Sequence, residues 1–347
     1  MKSPLRKRLP RELKSEFGKY LVVFIMMAIT IGFVSGFLVA DGSMLRAYDD
    51  SFQKYNIEDG YFQTKKKLTP AQKEDIEKSD VKVYENFYIE QKLTNGSTIR
   101  FFKNRKEVDK VCLMNGKMPK KSGEIAVDRM YADNNELKVG DTVKSRKKTF
   151  RITGLVALSD YSALFQNNND TMFDAVKFGV AIVTDKDFEA LNQVKVQYNY
   201  AWIYDKKPAT EKKEKKMAED LMEDMADVVT IESFVPQYQN QSIHFTGDDM
   251  GSDRAMIVML LYIVMAILAF VFGITISNTI RKEAGVIGTL RASGYTRREL
   301  ILHYMALPVV ITLIGALVGN ILGYTVLKQV CAGMYLSLIH ISEPTRL

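Results

Sequence analysis

The chain has 347 residues, 47% of them apolar, and a formal net charge of +7 at neutral pH. The basic excess is confined to two short flanks. Residues 1–19 hold seven Lys/Arg against two Glu and residues 281–299 hold five against two, while residues 41–254 hold 34 basic and 36 acidic side chains. That distribution excludes a nucleic-acid-binding face, and two cysteines, Cys112 and Cys331, exclude a disulfide framework or a paired-cysteine metal site.

In chain order, residues 1–19 form a basic lead-in to Tyr20–Ala40 (YLVVFIMMAITIGFVSGFLVA), 21 residues without a charge. A helix of that length, at about 1.5 Å per residue, crosses a bilayer core of roughly 30 Å. Lead-in and apolar run are both long for a cleaved signal peptide, and no clear small-x-small site follows, so the run reads as a retained span. Gly32 and Gly36 lie four residues apart in it. Such spacing lets helices approach closely in lipid, although glycine is also simply common in membrane helices.

Residues 41–254 read as a mixed α/β domain. Val81–Gln91 and Ser97–Lys103 are β-like and are joined across Asn95-Gly96, a hairpin turn signal. Gly123–Asp128 starts another strand, followed by a helical stretch from Met130 to Leu137 and a turn at Lys138–Asp141. Thr142–Ser145 and Thr149–Leu158 form a second hairpin, Gly179–Thr184 a strand, and Asp185–Asn192 a helix capped by Asp185. Val196–Tyr204 (VQYNYAWIY) is the most β-rich stretch. Thr210–Asp227 is helical, with Leu221, Met225 and Val228 on one side, and Val229–Val235 returns as a strand. The run KKPATEKKEKK at 206–216 sets Glu211 four residues before Lys215 and reads as a solvated helix start rather than a polyanion site.

Met256–Thr279 and Leu300–Leu327 are the second and third apolar runs. Basic flanks stay in the cytoplasm, which puts residues 1–19 and 281–298 inside and 41–254 outside. In the third run Gly315, Gly319 and Gly323 line one face and Pro308 is expected to kink the helix. His303 and Asn320 are either packed polar residues or parts of an ion or proton pathway. The three histidines, His244, His303 and His340, form no catalytic spacing, and none of Gly-x-Ser-x-Gly, His-Glu-x-x-His or Gly-x4-Gly-Lys-Ser/Thr occurs. No enzymatic site, cofactor or metal is expected on this chain; any ATP it uses must be hydrolysed by a partner.

Between the second and third runs lies RKEAGVIGTLRASGYTRREL (281–300). Val286, Ile287 and Leu290 recur at helical spacing, Gly294 is a helix stop, and Thr296 to Glu299 is a capping box that starts the third helix afresh. An apolar stripe with no core beneath it needs either membrane headgroups or a protein partner.

This order of span, large α/β domain, second span and basic loop resembles the FtsX/MacB-like permeases, membrane subunits of the mechanotransmission class of ABC transporters. Three stretches carry the likeness. The loop matches on Glu283, Gly285, Ile287, Leu290, Arg291, Ala292, Gly294, Tyr295, Thr296 and Glu299. GEIAVDRMYADNNELKVGDTVKSRKKTFRITGLV (123–156) resembles the family's ectodomain module, and LPRELKSEFGKYLVVFIMMAITIGFVSG (9–36) the approach to the first helix of large members.

The resemblance implies an α-helical protein of the cytoplasmic membrane, with an extracellular MacB-like α/β (α+β) domain between its first and second transmembrane helices. It implies that Glu283, Gly285, Val286, Ile287, Leu290, Arg291 and Gly294 belong to a coupling helix seated in a groove of a separate ABC ATPase, which binds the ATP. It also implies a second permease half or a homodimer as partner, and export or extraction of lipophilic or peptide substrates. A regulatory permease that controls cell-wall hydrolases or an antimicrobial-peptide response has the same topology, and a membrane receptor without an ATPase is the reading from another class. The chain departs from the family at its end: members have a fourth span, and residues 336–346, LSLIHISEPTR, match a translated sequencing-library adaptor. Residues 336–347 are therefore expected to be foreign to the protein.

Overall fold

The computed structural model of the chain describes residues 7–145, 148–191 and 193–335. These form two compact units, the chain up to Ser43 with Met250–Tyr335, and Met44–Asp249. Segment 336–347, expected to be foreign, lies outside the described residues, as does Asn192. Among the described residues, three helices are long and apolar enough to cross a membrane: Phe17–Lys54, Gln241–Lys282 and Arg297–Ala332.

The first elements are α1 (Leu9–Ser15), with Pro10 in its first turn where an amide is not needed, and α2 (Phe17–Lys54). The uncharged run 20–40 is the middle of α2. No proline follows Ala40, so the helix continues until Asn56 turns the chain with a φ of 50°.

The α/β unit then runs β1 (Gly60–Thr64), α3 (Pro70–Glu77), β2 (Val81–Glu85), β3 (Tyr88–Lys92), β4 (Thr98–Lys103), β5 (Val111–Gly116) and β6 (Glu124–Asp128). It continues through α4 (Arg129–Asn134), β7 (Thr142–Lys144), β8 (Thr149–Leu158), β9 (Phe178–Val183) and α5 (Asp185–Ala190). It ends with β10 (Val196–Tyr204), α6 (Glu211–Ala226) and β11 (Ile231–Pro236). The strand order is β11-β1-β10-β3-β4-β9-β6-β8-β5, with β2 on β10 and β7 on β8.

Strand β10 explains why VQYNYAWIY is so rich in β-formers. Its residues Tyr200–Tyr204 pair with β2, and Trp202 also faces Gly60 of β1, while Val196 and Gln197 pair with β3. One strand therefore serves two sheet regions and two cores. Phe62, Tyr200 and Trp202 pack with Ile76 of α3 and with Leu221 and Met225 of α6. Phe101, Phe150 and Ile182 pack with Tyr131 of α4 and Phe188 of α5. Each large side chain buried this way contributes about 1.5–3 kcal/mol.

Several boundaries differ from expectation for local reasons. Val81–Gln91 is two strands, because the Asn86 amide donates to the Asn199 carbonyl (2.8 Å) and the chain crosses there from one sheet region to the other. The helix expected through Leu137 ends at Asn134, and Glu136 adopts a left-handed φ of 56°. The cap of α5 is Thr184, which accepts from the Asp187 amide (3.2 Å), not Asp185. Strands β1 and β5 and helix α3 had no counterpart in the sequence reading.

After β11 come α7 (Gln241–Lys282), α8 (Ala284–Ala292) and α9 (Arg297–Leu322), then a π-helical segment at Gly323–Leu327 and α10 (Lys328–Tyr335). Helix α9 runs through Pro308 without ending there.

At the root of the α/β unit, beside Tyr55, Ile57 and Ile243, three buried acids meet Arg105. Asp160 lies 2.7 Å from the Arg105 guanidinium and Asp109 lies 3.8 Å from it. Asp109 also accepts from the Glu58 amide (2.8 Å) and from Asn86 Nδ2 (3.0 Å). Burial first, and then the Asp160 charge, push Asp109 up to about 7, although Arg105 pulls the other way. Its ordinary value is near 4, so from about pH 4 to 7 the folded state holds a proton that the unfolded chain releases, and stability falls as pH rises through that window.

The full chain in detergent should therefore melt at a lower temperature at pH 8 than at pH 5. Asp109→Asn should flatten this slope, because asparagine suits the φ of 46° at this position and Asn86, whose Oδ1 has no partner, can turn to accept from the new amide. Equal slopes in both proteins would refute the assignment.

Candidate functional site

The loop between α7 and α9 folds as a short helix, a glycine break and a newly capped helix. Gly294 carries a φ of 93°, its amide donates to the Arg291 carbonyl (3.1 Å), and the Tyr295 amide donates to the Leu290 carbonyl (3.1 Å). Thr296 then caps α9: its Oγ1 accepts from the Glu299 amide (3.3 Å), while Glu299 Oε2 accepts from the Thr296 amide (2.8 Å). Helix α8 has no buried residue. Val286 is 42% exposed, Ile287 and Leu290 are half-buried, and nothing lies within 4 Å of where a side chain would start at Gly285. Arg291 donates to the Tyr295 carbonyl (3.3 Å) and so braces the break.

Glu283 stands apart from the other loop residues, because it is held from two directions. Arg8 Nη2 reaches its Oε1 at 2.6 Å, and the Tyr304 hydroxyl donates to its Oε2 at 2.5 Å. Arg8 also pairs with Glu12 (2.8 Å), and Glu12 lies 3.3 Å from Nε2 of His303, which is buried. Nearby, Lys19 donates to Thr279 Oγ1 (3.3 Å). The start of α8 is therefore tied to α1 and to the first turns of α9. Half-exposed pairs of this kind contribute about 1 kcal/mol each at most; their effect is to set direction.

Arg8, Glu12 and Tyr304 were not readable as site residues. In the sequence they belong to a basic lead-in and to an apolar run, and only the fold brings them to Glu283. His303 is a packed residue paired with Glu12, and Asn320 donates back to the Ala316 carbonyl of its own helix (3.0 Å). The structure does not bring those two together.

It does bring the glycines together. A side chain at Gly319 would start 2.8 Å from the Ala28 carbonyl oxygen, and one at Gly323 would start 2.8 Å from the Gly32 carbonyl oxygen. At Gly36 it would meet backbone of Leu327 and Lys328 at 2.9 Å, and at Gly32 the Gly319 carbonyl oxygen at 3.1 Å. Backbone cannot move aside, so α2 and α9 need these glycines to lie this close. Gly315 is looser, with Met27 Cβ at 3.4 Å.

Residues 258–343 match the family model described as FtsX-like permease C-terminal. This stretch is similar to the C-terminal part of FtsX-like permeases. The matched stretch holds α8, the glycine break, the α9 capping box and the glycines of α9, and it runs on past Tyr335. Two solved structures align with half of the chain. The periplasmic region of MacB from Actinobacillus actinomycetemcomitans is 14% identical over 50% of this chain and 87% of that one, with a TM-score of 0.27. The extracellular domain of the noncanonic ABC-type transporter YknZ from Gram-positive bacteria is 12% identical over 50% of this chain and 98% of that one, with a TM-score of 0.26. No curated protein matches the chain.

Cys331 reports on the glycine seam of this FtsX-like segment. It is 1% exposed and lies one turn beyond Leu327, which packs on Gly36. Overpacking costs about 1–3 kcal/mol, so Gly36→Ala, Gly319→Ala or Gly323→Ala should speed maleimide labelling of Cys331 in detergent by about tenfold. Gly315→Ala should leave it unchanged. A uniform response across all four variants would show that the seam does not depend on these glycines.

Proposed function

We propose that the chain is the permease subunit of an ABC-type transporter, and that α8 seats in a groove of a separate ATPase subunit and relays ATP-driven movement. The observation that carries this reading is a short helix with Val286 exposed, Ile287 and Leu290 only half-buried, and its first turn anchored through Glu283 to α1 and α9. A helix lying loosely on headgroups has no need of such an anchor. A helix that must transmit a push has to be fixed at one end and free on its apolar side.

Basic flanks place residues 1–19 and 281–298 in the cytoplasm and the α/β unit outside a cytoplasmic membrane. ATP belongs to the partner, since the chain has no phosphate-binding loop of its own. The most apolar window of α7 is 6% buried, against 39% for α2 and 22% for the third helix. That leaves α7 a free apolar surface for a further span or a second permease half, whether fused or in a homodimer. The work done is export or extraction of a lipophilic or peptide substrate by the outer domain, without passage between these helices.

Tagged wild-type chain, purified from membranes of its own host, should bring down ATPase activity. Ile287→Asp with Leu290→Asp should insert to the same level and lose about 90% or more of that activity, since burying two unpaired carboxylates costs several kcal/mol. Equal activity in both samples, or none in either, would favour a receptor that works without an ATPase.

A further inference from the structure

At the end of the membrane unit where α1, α8 and the start of α9 meet, residues 7–19 and 281–299 hold four acids and ten cations. All four acids are engaged. Glu12 and Glu283 bond with Arg8, His303 and Tyr304, Glu16 accepts from Lys19 (2.9 Å), and Glu299 is occupied by the cap of α9. The cations divide differently. Arg8, Lys19 and Arg291 are engaged within the unit, while the other seven are exposed and form no ion pair or side-chain hydrogen bond among the described residues.

Their placement is specific. Lys7, Arg11 and Lys14 recur at i, i+4 and i+7, so they share one face of α1 and the turn before it. Arg8 and Glu12, which tie α1 to Glu283 and His303, lie on another. The Arg8–Glu283 bond brings α1 to the end of α7, where Arg281 and Lys282 stand. Arg297 and Arg298 begin α9, within two turns of Tyr304. Cations there oppose the helix dipole, which favours acids at an N-terminus, so α9 itself gains nothing from them. Arg281 and Lys282 follow the uncharged run that ends at Thr279, and Arg297 and Arg298 precede the run that starts at Leu300. At about 1.5 Å per residue all four lie within about 5 Å of an apolar end, inside a headgroup layer roughly 5–8 Å deep on each side of a bilayer core.

Unpaired cations at that depth meet lipid phosphates. A zwitterionic headgroup brings its own ammonium to the same place, and no free acid stands here to receive it. A net-anionic headgroup brings phosphate alone, and four of the seven cations are arginines, whose forked donors fit phosphate oxygens. We propose that this end of the membrane unit is a binding site for a net-anionic phospholipid, of the phosphatidylglycerol class, held between the α1 stripe and the cation pairs of α7 and α9. Its headgroup bridges α1 to the segments on either side of α8, so occupancy strengthens the Arg8–Glu283 tie that directs α8. Binding needs no ATPase partner.

The test uses the full chain in detergent, titrated with phosphatidylglycerol and, separately, with phosphatidylcholine, and followed by amide hydrogen exchange. Phosphatidylglycerol should slow exchange across α1 and α8, and phosphatidylcholine should not. Each cation beside an anionic headgroup contributes about fivefold in affinity. Arg11→Gln with Lys14→Gln, and Arg297→Gln with Arg298→Gln, should therefore each weaken binding about 25-fold, while Lys212→Gln with Lys216→Gln on the solvated helix α6 should leave it within about twofold. All six side chains are exposed, so none of these variants disturbs a core. No protection by phosphatidylglycerol, or equal protection by phosphatidylcholine, would overturn the proposal. So would an equal loss from the Lys212 and Lys216 pair, which marks diffuse attraction to the whole chain. Protection by inorganic phosphate without lipid would overturn it too, as would protection by polyglutamate in place of lipid, which marks an acidic protein partner.

Discussion

The close approach of α2 and α9 at Gly32, Gly36, Gly319 and Gly323 is the constraint on which the membrane unit depends. In lipid, apolar side chains gain little by turning from one hydrocarbon to another, so helices hold together where their backbones can touch. Here glycine meets carbonyl at distances that no side chain would tolerate. The π-helical segment begins at Gly323, within this contact, and helical hydrogen bonding resumes beyond it with Cys331 and Ala332 buried. Once α9 is set against α2, its first turns present His303 and Tyr304 to α1 and Glu283.

That placement decides what α8 can do. A nine-residue helix is too short to be stable alone in water. It persists because its first turn is fixed through Glu283 and its last turn is closed by Gly294 and the Arg291–Tyr295 contact. Between those ends Val286 is exposed and Ile287 and Leu290 are half-buried. The whole of α8 lies within the stretch that matches the FtsX-like permease model.

The α/β unit answers to a different constraint, the length of β10. With nine residues it reaches from one sheet region to the other, and Phe87, in the crossover between β2 and β3, packs against both cores. The cluster around Arg105 is unusually polar for a buried place. Arg100 and Arg105 offset Glu90 and Asp160, and Asp109 is tied by two donors. Charges at this depth are costly unless paired.

The sequence by itself determined the three long apolar helices and the helix–break–cap pattern of the loop, because apolar length and capping are local properties that need no neighbour. It also determined most strands and the solvated helix at 211–226, where alternation and helical period are strong. It did not reveal β1, β5 or the break at Asn86, whose pairing is made by distant partners such as Asn199 and Trp202. Helix α3 was legible in principle, since Thr69 and Gln72 form a capping box ahead of it. Which glycines pack, that Glu283 is anchored rather than displayed, and that Asp109 and Asp160 meet at Arg105 were decided by tertiary structure alone. Each depends on atoms brought together from separate parts of the chain, and no spacing within a single segment records such a meeting.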